Sequence, residues 1–181
     1  MDFNAWLADM TGFLSRYSAL FIGGLRNTLI LSAIAGVLSI LVGGGLCFLR
    51  MSRIAPLRWI ANIWIEFVRG TPVLVQIMLV YYGLPMIGVT FPKVSFIPDF
   101  DRFAAGVVAM SLNSCAYVAE IIRSGIQAVD VGQMEAARSL GFHHREAMTL
   151  VILPQAIRNI LPALGNEFVT IIKESSIVSV I

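Results

Sequence analysis

The residues of this chain best placed to do chemistry are charges set in apolar surroundings. Glu66 and Arg69 are three apart, and so share one face of a helix, in a stretch from Pro56 to Pro85 whose only other charge is Arg58. Asn166 and Glu167 interrupt a second apolar stretch that begins near Arg158. If Arg58 marks a membrane boundary, Arg69 lies about 16 Å deeper, close to the middle of a hydrocarbon layer about 30 Å thick. Charges at that depth face a bundle interior and mark solute paths. A carboxylate and a guanidinium there can meet the ammonium and carboxylate of a zwitterion. They can equally pair with each other and fix packing around Gly70-Thr71-Pro72. The residues leave both readings open.

Other charged groups invite less. Glu120 and Arg123 are also three apart but fall at the end of their apolar run, which reads as a structural tie to the adjoining polar stretch. Lys173 and Glu174 sit near the opposite boundary, to gate it or to snorkel. His143 and His144 are neighbours, about 100° apart on a helix, so only His143 with Glu146 could share a metal, and two ligands do not make a site. No nucleophile, base and orienting group stand in an evident set, and no catalytic residue is expected.

The elements that must hold these residues are membrane helices. Hydrophobic residues make up 57% of the 181 and charged ones 13%, about half the charge of a soluble domain. With a net charge of +2 and no basic cluster interleaved with aromatics, nucleic acid is not an expected partner. Cys47 and Cys115 lie in apolar runs, too far apart in sequence for a CxxC site, and read as packing residues.

Four spans are expected, at about 22–49, 56–85, 103–124 and 153–175, in one transmembrane domain covering 1–181. Residues 1–20, with Trp6, Phe13 and Tyr17 in a polar background, read as an interfacial helix. The first span carries Gly43-Gly44-Gly45, which suits close helix approach. Pro72 after Gly70 predicts a bend or break in the second span. Residues 85–100, with Gly88, Pro92 and Pro98, read as an external loop. Arg50, Arg53, Arg58, Arg138 and Arg145 then lie on the cytoplasmic side by the positive-inside tendency, which leaves the N-terminus external.

Between the third and fourth spans lies a polar stretch, Gly132 to Pro154, with a cytoplasmic loop at about 129–145. Gln133 to Leu140 are good helix formers, and Gly141 stands where helices often end in a left-handed residue. A helix of about two turns is not stable alone in water. Something must pack on it.

Glu135-Ala136-Ala137, then three residues, Gly141, nine residues and Val151-Ile152-Leu153-Pro154 closely resemble the signature loop of ABC importer permeases. Val151 replaces the usual isoleucine. GLRNTLILS (Gly24–Ser32), VRGTPVLVQ (Val68–Gln76), AYVAEIIRSGIQAV (Ala116–Val129), LPQAIRNILPALGNEF (Leu153–Phe168) and KESSIVSVI (Lys173–Ile181) look like motifs of the polar amino acid, histidine/glutamine-type permeases. The resemblance implies an all-α polytopic bundle with the type I (MetI-like) importer fold. That family usually has one further span beyond the position of Ile181, so the chain reads as the fold without its last span.

Function is implied by the same resemblance. It points to a subunit of the bacterial inner membrane that forms the path of an ATP-driven polar amino acid importer. Its coupling helix, with Gly132, Glu135, Ala136, Ala137, Arg138 and Gly141, would dock on an ABC ATPase subunit. Further partners would be a second permease subunit and an external solute-binding protein. No GxxxxGK[ST] occurs, so ATP and Mg are expected on the ATPase and no cofactor on this chain. An ion-coupled secondary transporter or channel subunit is the competing expectation, since a broken span with buried carboxylates suits ion coupling.

Overall fold

The computed structural model describes residues 3–94 and 99–181, with side chains from Asp9 onward. The side chain of Trp6 and the loop residue Pro98 lie outside the described residues. The described chain is helical, without strands.

Helix α1 (Phe3–Arg50) runs unbroken for 48 residues. At about 1.5 Å per residue it is about 72 Å long, beyond even the 40–45 Å or so of a bilayer with its headgroups. The interfacial helix expected over residues 1–20 is therefore continuous with the first span rather than separate. Nothing ends it: positive-φ glycines occur only at Gly88 and Gly141 among the described residues, and no proline falls between Phe3 and Arg50.

Helix α2 (Ala55–Gly70) starts with Pro56 in its first turn, where a missing N–H costs nothing. The next helices are α3 (Val73–Met78), a π-helical turn (Leu79–Gly83) and α4 (Leu84–Met86). The bend between α2 and the Val73–Met86 rod is 107°, so the expected second span is two rods that cannot both run along a membrane normal. Pro72 supplies the break, having no N–H for a helix and forcing Thr71 into extended backbone.

Helix α5 (Phe100–Gln127) is the spine of the bundle, with α1, α2, α3 and α8 packed around it. Its buried Ala105, Gly106, Ala109, Ser114, Ala116 and Ala119 are small, so neighbours approach closely. An added Cβ at Gly43 would lie 2.7 Å from the carbonyl oxygen of Cys115, whereas Gly44 and Gly45 meet nothing within 4 Å. Only the first of the three glycines serves the close approach expected of all. Both cysteines are free and buried.

After α5 come α6 (Val131–Ser139), α7 (His144–Ala147), a second π-helical turn (Met148–Ile152) and α8 (Leu153–Glu174), then a 3-10 turn (Ser175–Val180). Both π turns precede a proline at the second position of the next helix, Pro85 and Pro154. A helical proline clashes with the carbonyl four residues earlier. Here those are Tyr81 and Leu150, inside the widened turns, which relieves the clash. Three helical stretches, Asp9–Arg50, Phe100–Gln127 and His144–Val180, are long and apolar enough to cross a membrane, and the bent pair would make a fourth.

Candidate functional site

The site is built at the break between α2 and α3, where they lean on α5. A cavity of about 320 Å³ opens there, lined by Arg69, Gly70, Thr71, Pro72, Val73, Asn113, Tyr117 and Glu174. Arg69 closes the last turn of α2, its guanidinium carbon 5.5 Å from the centroid of the Tyr117 ring. Such a cation–π contact orients a guanidinium without neutralising it. Glu66 is exposed and forms no ion pair with Arg69 among the described residues, so the mutual pairing open to these two is absent.

The anionic side of the site comes from α8. Glu167 is half-buried and accepts a 2.5 Å hydrogen bond from Ser114 Oγ of α5. Glu174 lies two turns farther on the same face and lines the cavity. Asn166 and Lys173, each one position earlier, are exposed. A guanidinium, an aromatic face, an amide and a carboxylate thus converge on one cavity, with a second carboxylate farther along α8. That set suits a small zwitterionic solute.

A second constellation lies at the other end of α5. Glu120 accepts hydrogen bonds from both Arg123, its neighbour one turn on, and Arg50 at the end of α1. Arg123 Nη1 also donates to Gln127 Oε1 at 2.5 Å. The tie expected between Glu120–Arg123 and the polar loop is instead a tie between α5 and α1.

The polar loop forms the third feature. Asp130 caps α6, accepting the Gly132 N–H at 2.7 Å. Gly132 is therefore inside the first turn, not a hinge, and an added Cβ would stand 2.8 Å from the capping carboxylate oxygen. Gly141 does make the sharp exit, at φ +94°, with Phe142 N–H bonded to the Ala137 carbonyl at 3.2 Å. Six-to-one closure of this kind needs a left-handed residue, which glycine adopts freely. Replacing Gly141 by alanine is expected to cost about 1–2 kcal/mol and by asparagine less, as read from thermal unfolding of the purified protein.

Within α6 only Ala137 is buried, and Met134 packs toward Val129, Ile152, Ala156 and Ile160. Glu135, Ala136 and Arg138 stay exposed, as do Val131 and Leu140 at 72% and 80%. Leu140, three residues beyond the buried Ala137, is the C-cap and lies outside. Glu146 Oε2 caps the next turn by accepting the His143 N–H at 2.7 Å, and no metal-ligating cluster occurs among the described residues.

Residues 35–181 match the family model described as binding-protein-dependent transport system inner membrane component. The chain belongs to this family. It is 44% identical over 181 residues to the arginine transport system permease protein ArtQ of Bacillus subtilis (strain 168), covering all of this chain and 75% of that one. It also resembles a crystal structure of an amino acid ABC transporter with histidines, at 53% identity and TM-score 0.85 over 92% of this chain and 74% of that chain. An inward-facing MetNI methionine ABC transporter shares the fold at TM-score 0.66 and 18% identity, over 88% of this chain and 73% of that chain. The family is that of ABC importer permeases, and the ion-coupled reading gives way.

Sequence reasoning about this permease missed Asn113, Tyr117, Ser114 and Arg50. Asn113 could have been found as a lone amide in the middle of an apolar span, a position that demands a partner. Tyr117 and Ser114 carry no such signal.

Proposed function

We propose that this permease carries polar amino acids, basic ones among them, through the cavity beside Arg69 and Glu174. Transport is driven by an ATPase subunit docked on α6. The reading of the solute rests on the cavity, with a guanidinium for a carboxylate and Glu174 for an ammonium or a basic side chain, while Glu167 adds a second carboxylate farther along α8. The relatives named for arginine and found with histidines agree with that balance. ATP and Mg belong to the ATPase, and two permease subunits with an external binding protein complete the transporter. The N-terminus lies outside, since Arg50, Arg53 and Arg58 cluster at and just beyond the end of α1.

One observation carries the coupling. Helix α6 packs Met134 on a cluster that includes Ala156 and Ile160 of α8 while presenting Val131, Glu135, Arg138 and Leu140 to a partner. A short helix exposing apolar ends and two opposite charges is a surface that fits a groove. Through α8, a push on α6 reaches Glu167 and Glu174. Charge reversal at Glu135 (Glu135→Lys) is expected to lower solute-stimulated ATP hydrolysis by the reconstituted transporter at least tenfold, and unchanged hydrolysis would reject the coupling role.

A further inference from the structure

The bend of 107° between α2 and α3 leaves carbonyls at the end of α2 without helical donors. A carbonyl left unmet away from water costs several kcal/mol. Thr71 answers for part, its Oγ1 donating to the Phe67 carbonyl at 2.7 Å and its N–H to the Val68 carbonyl at 3.3 Å. One side chain gives the Val68 carbonyl a second donor and serves the Thr71 carbonyl at the break. Gln76 is buried, and its Nε2 donates to the Val68 carbonyl at 2.8 Å and to the Thr71 carbonyl at 2.9 Å. It reaches back eight residues, across the break, from α3 to α2. Its Oε1 accepts from Asn113 Nδ2 of α5 at 3.2 Å.

Both N–H groups of the Gln76 amide and its oxygen are therefore engaged, tying α3 to the end of α2 and to α5. Only asparagine carries the same planar group with two donors and an acceptor, on a side chain one methylene shorter. The consequence for the site is geometric. Arg69 is next in sequence to the held residue Val68, and its guanidinium lies on Tyr117, which is one turn along α5 from Asn113. The cavity wall Gly70–Val73 is the same short segment that Gln76 spans.

We propose that Gln76, braced by Asn113, is the positioning residue of the solute cavity. It fixes the end of α2 and thereby the guanidinium of Arg69, without touching the solute itself. The inference rests on the reading of this cavity as an amino acid site.

The test is equilibrium binding of labelled arginine and histidine to the purified permease–ATPase complex without its binding protein. Basal ATP hydrolysis and thermal midpoint are measured alongside. Gln76→Met keeps the length and apolar volume but removes both donors and the acceptor. The expected result is a Kd raised tenfold or more. A residue that serves only stability would lower the yield or the thermal midpoint and leave Kd where it was, which overturns the proposal. If Gln76→Met does not assemble, Gln76→Glu decides by the same measurement, since its carboxylate has the same reach but no N–H to give to the two carbonyls. A tenfold rise again supports the proposal and an unchanged Kd rejects it. Failure of the wild-type complex to bind either amino acid would instead reject the solute assignment, and the proposal with it.

Discussion

Replacing Gly43 by alanine is expected to destabilise the permease by about 3 kcal/mol, the upper part of the usual range for overpacking. The same change at Gly44 or Gly45 is expected to cost nothing. The added methyl at Gly43 would stand 2.7 Å from the Cys115 carbonyl oxygen and 2.8 Å from the Cβ of Val118. Neither is the loose end of a side chain. Cys115 and Val118 are buried in α5, itself packed by α1, α2, α3 and α8, so relief requires α1 to move away along the whole contact. At Gly125 the nearest group, Ile160 Cγ1, is closer still, but there a side chain can turn. Gly44 and Gly45 face open space, where alanine is a better helix former by about 1 kcal/mol. Thermal midpoints and yields of the three single variants, purified in parallel, decide the matter. Equal losses at all three would show that α1 and α5 do not meet as described.

Composition and motif spacing made the fold class legible, because an all-helical membrane bundle is written in apolar runs of fixed length. The break at Gly70–Pro72 was legible for a local reason, since proline acts on its own neighbours. Its angle was not, because that depends on Gln76 and Asn113 meeting across 37 residues of sequence. The continuity of α1 was hidden by composition: residues 1–20 look interfacial, yet helicity requires only that nothing stops it. Among site residues, Arg69 and Glu167 were visible as charges at depth. Tyr117 and Ser114 were not, since one aromatic and one serine in a helix say nothing of what lies across from them. Gly132 and Gly141 look alike in sequence, and only the backbone separates a capped first turn from a left-handed exit.

The second large effect is expected at Glu120. Its carboxylate sits between Arg50 of α1 and Arg123 of its own helix, with side-chain exposures of 22%, 20% and 27% for Glu120, Arg50 and Arg123. Exposed pairs contribute little because water screens and replaces them, but a pair this far covered is costly to break from one side. Glu120→Ala leaves two guanidinium groups facing each other, Arg50 without its acceptor and Arg123 with only Gln127, and the expected loss is about 3 kcal/mol. Arg50→Ala removes one donor and leaves Glu120 held by Arg123, whose Nε donates at 3.1 Å, so about 1 kcal/mol is expected. The double variant should lose about as much as Glu120→Ala alone, or less, because removing Arg50 also removes the repulsion that Glu120→Ala exposes. Thermal unfolding of the four proteins at fixed salt measures the coupling, and strict additivity would mean that α1 and α5 are not joined by this pair. In the proposed coupling such a joint would bear on transport, since it ties the α5 helix that carries Asn113, Ser114 and Tyr117 to the end of α1. Under the proposed coupling, a push through α8 would move Glu167 and Glu174 against residues held in place, rather than shifting the whole cavity as one body.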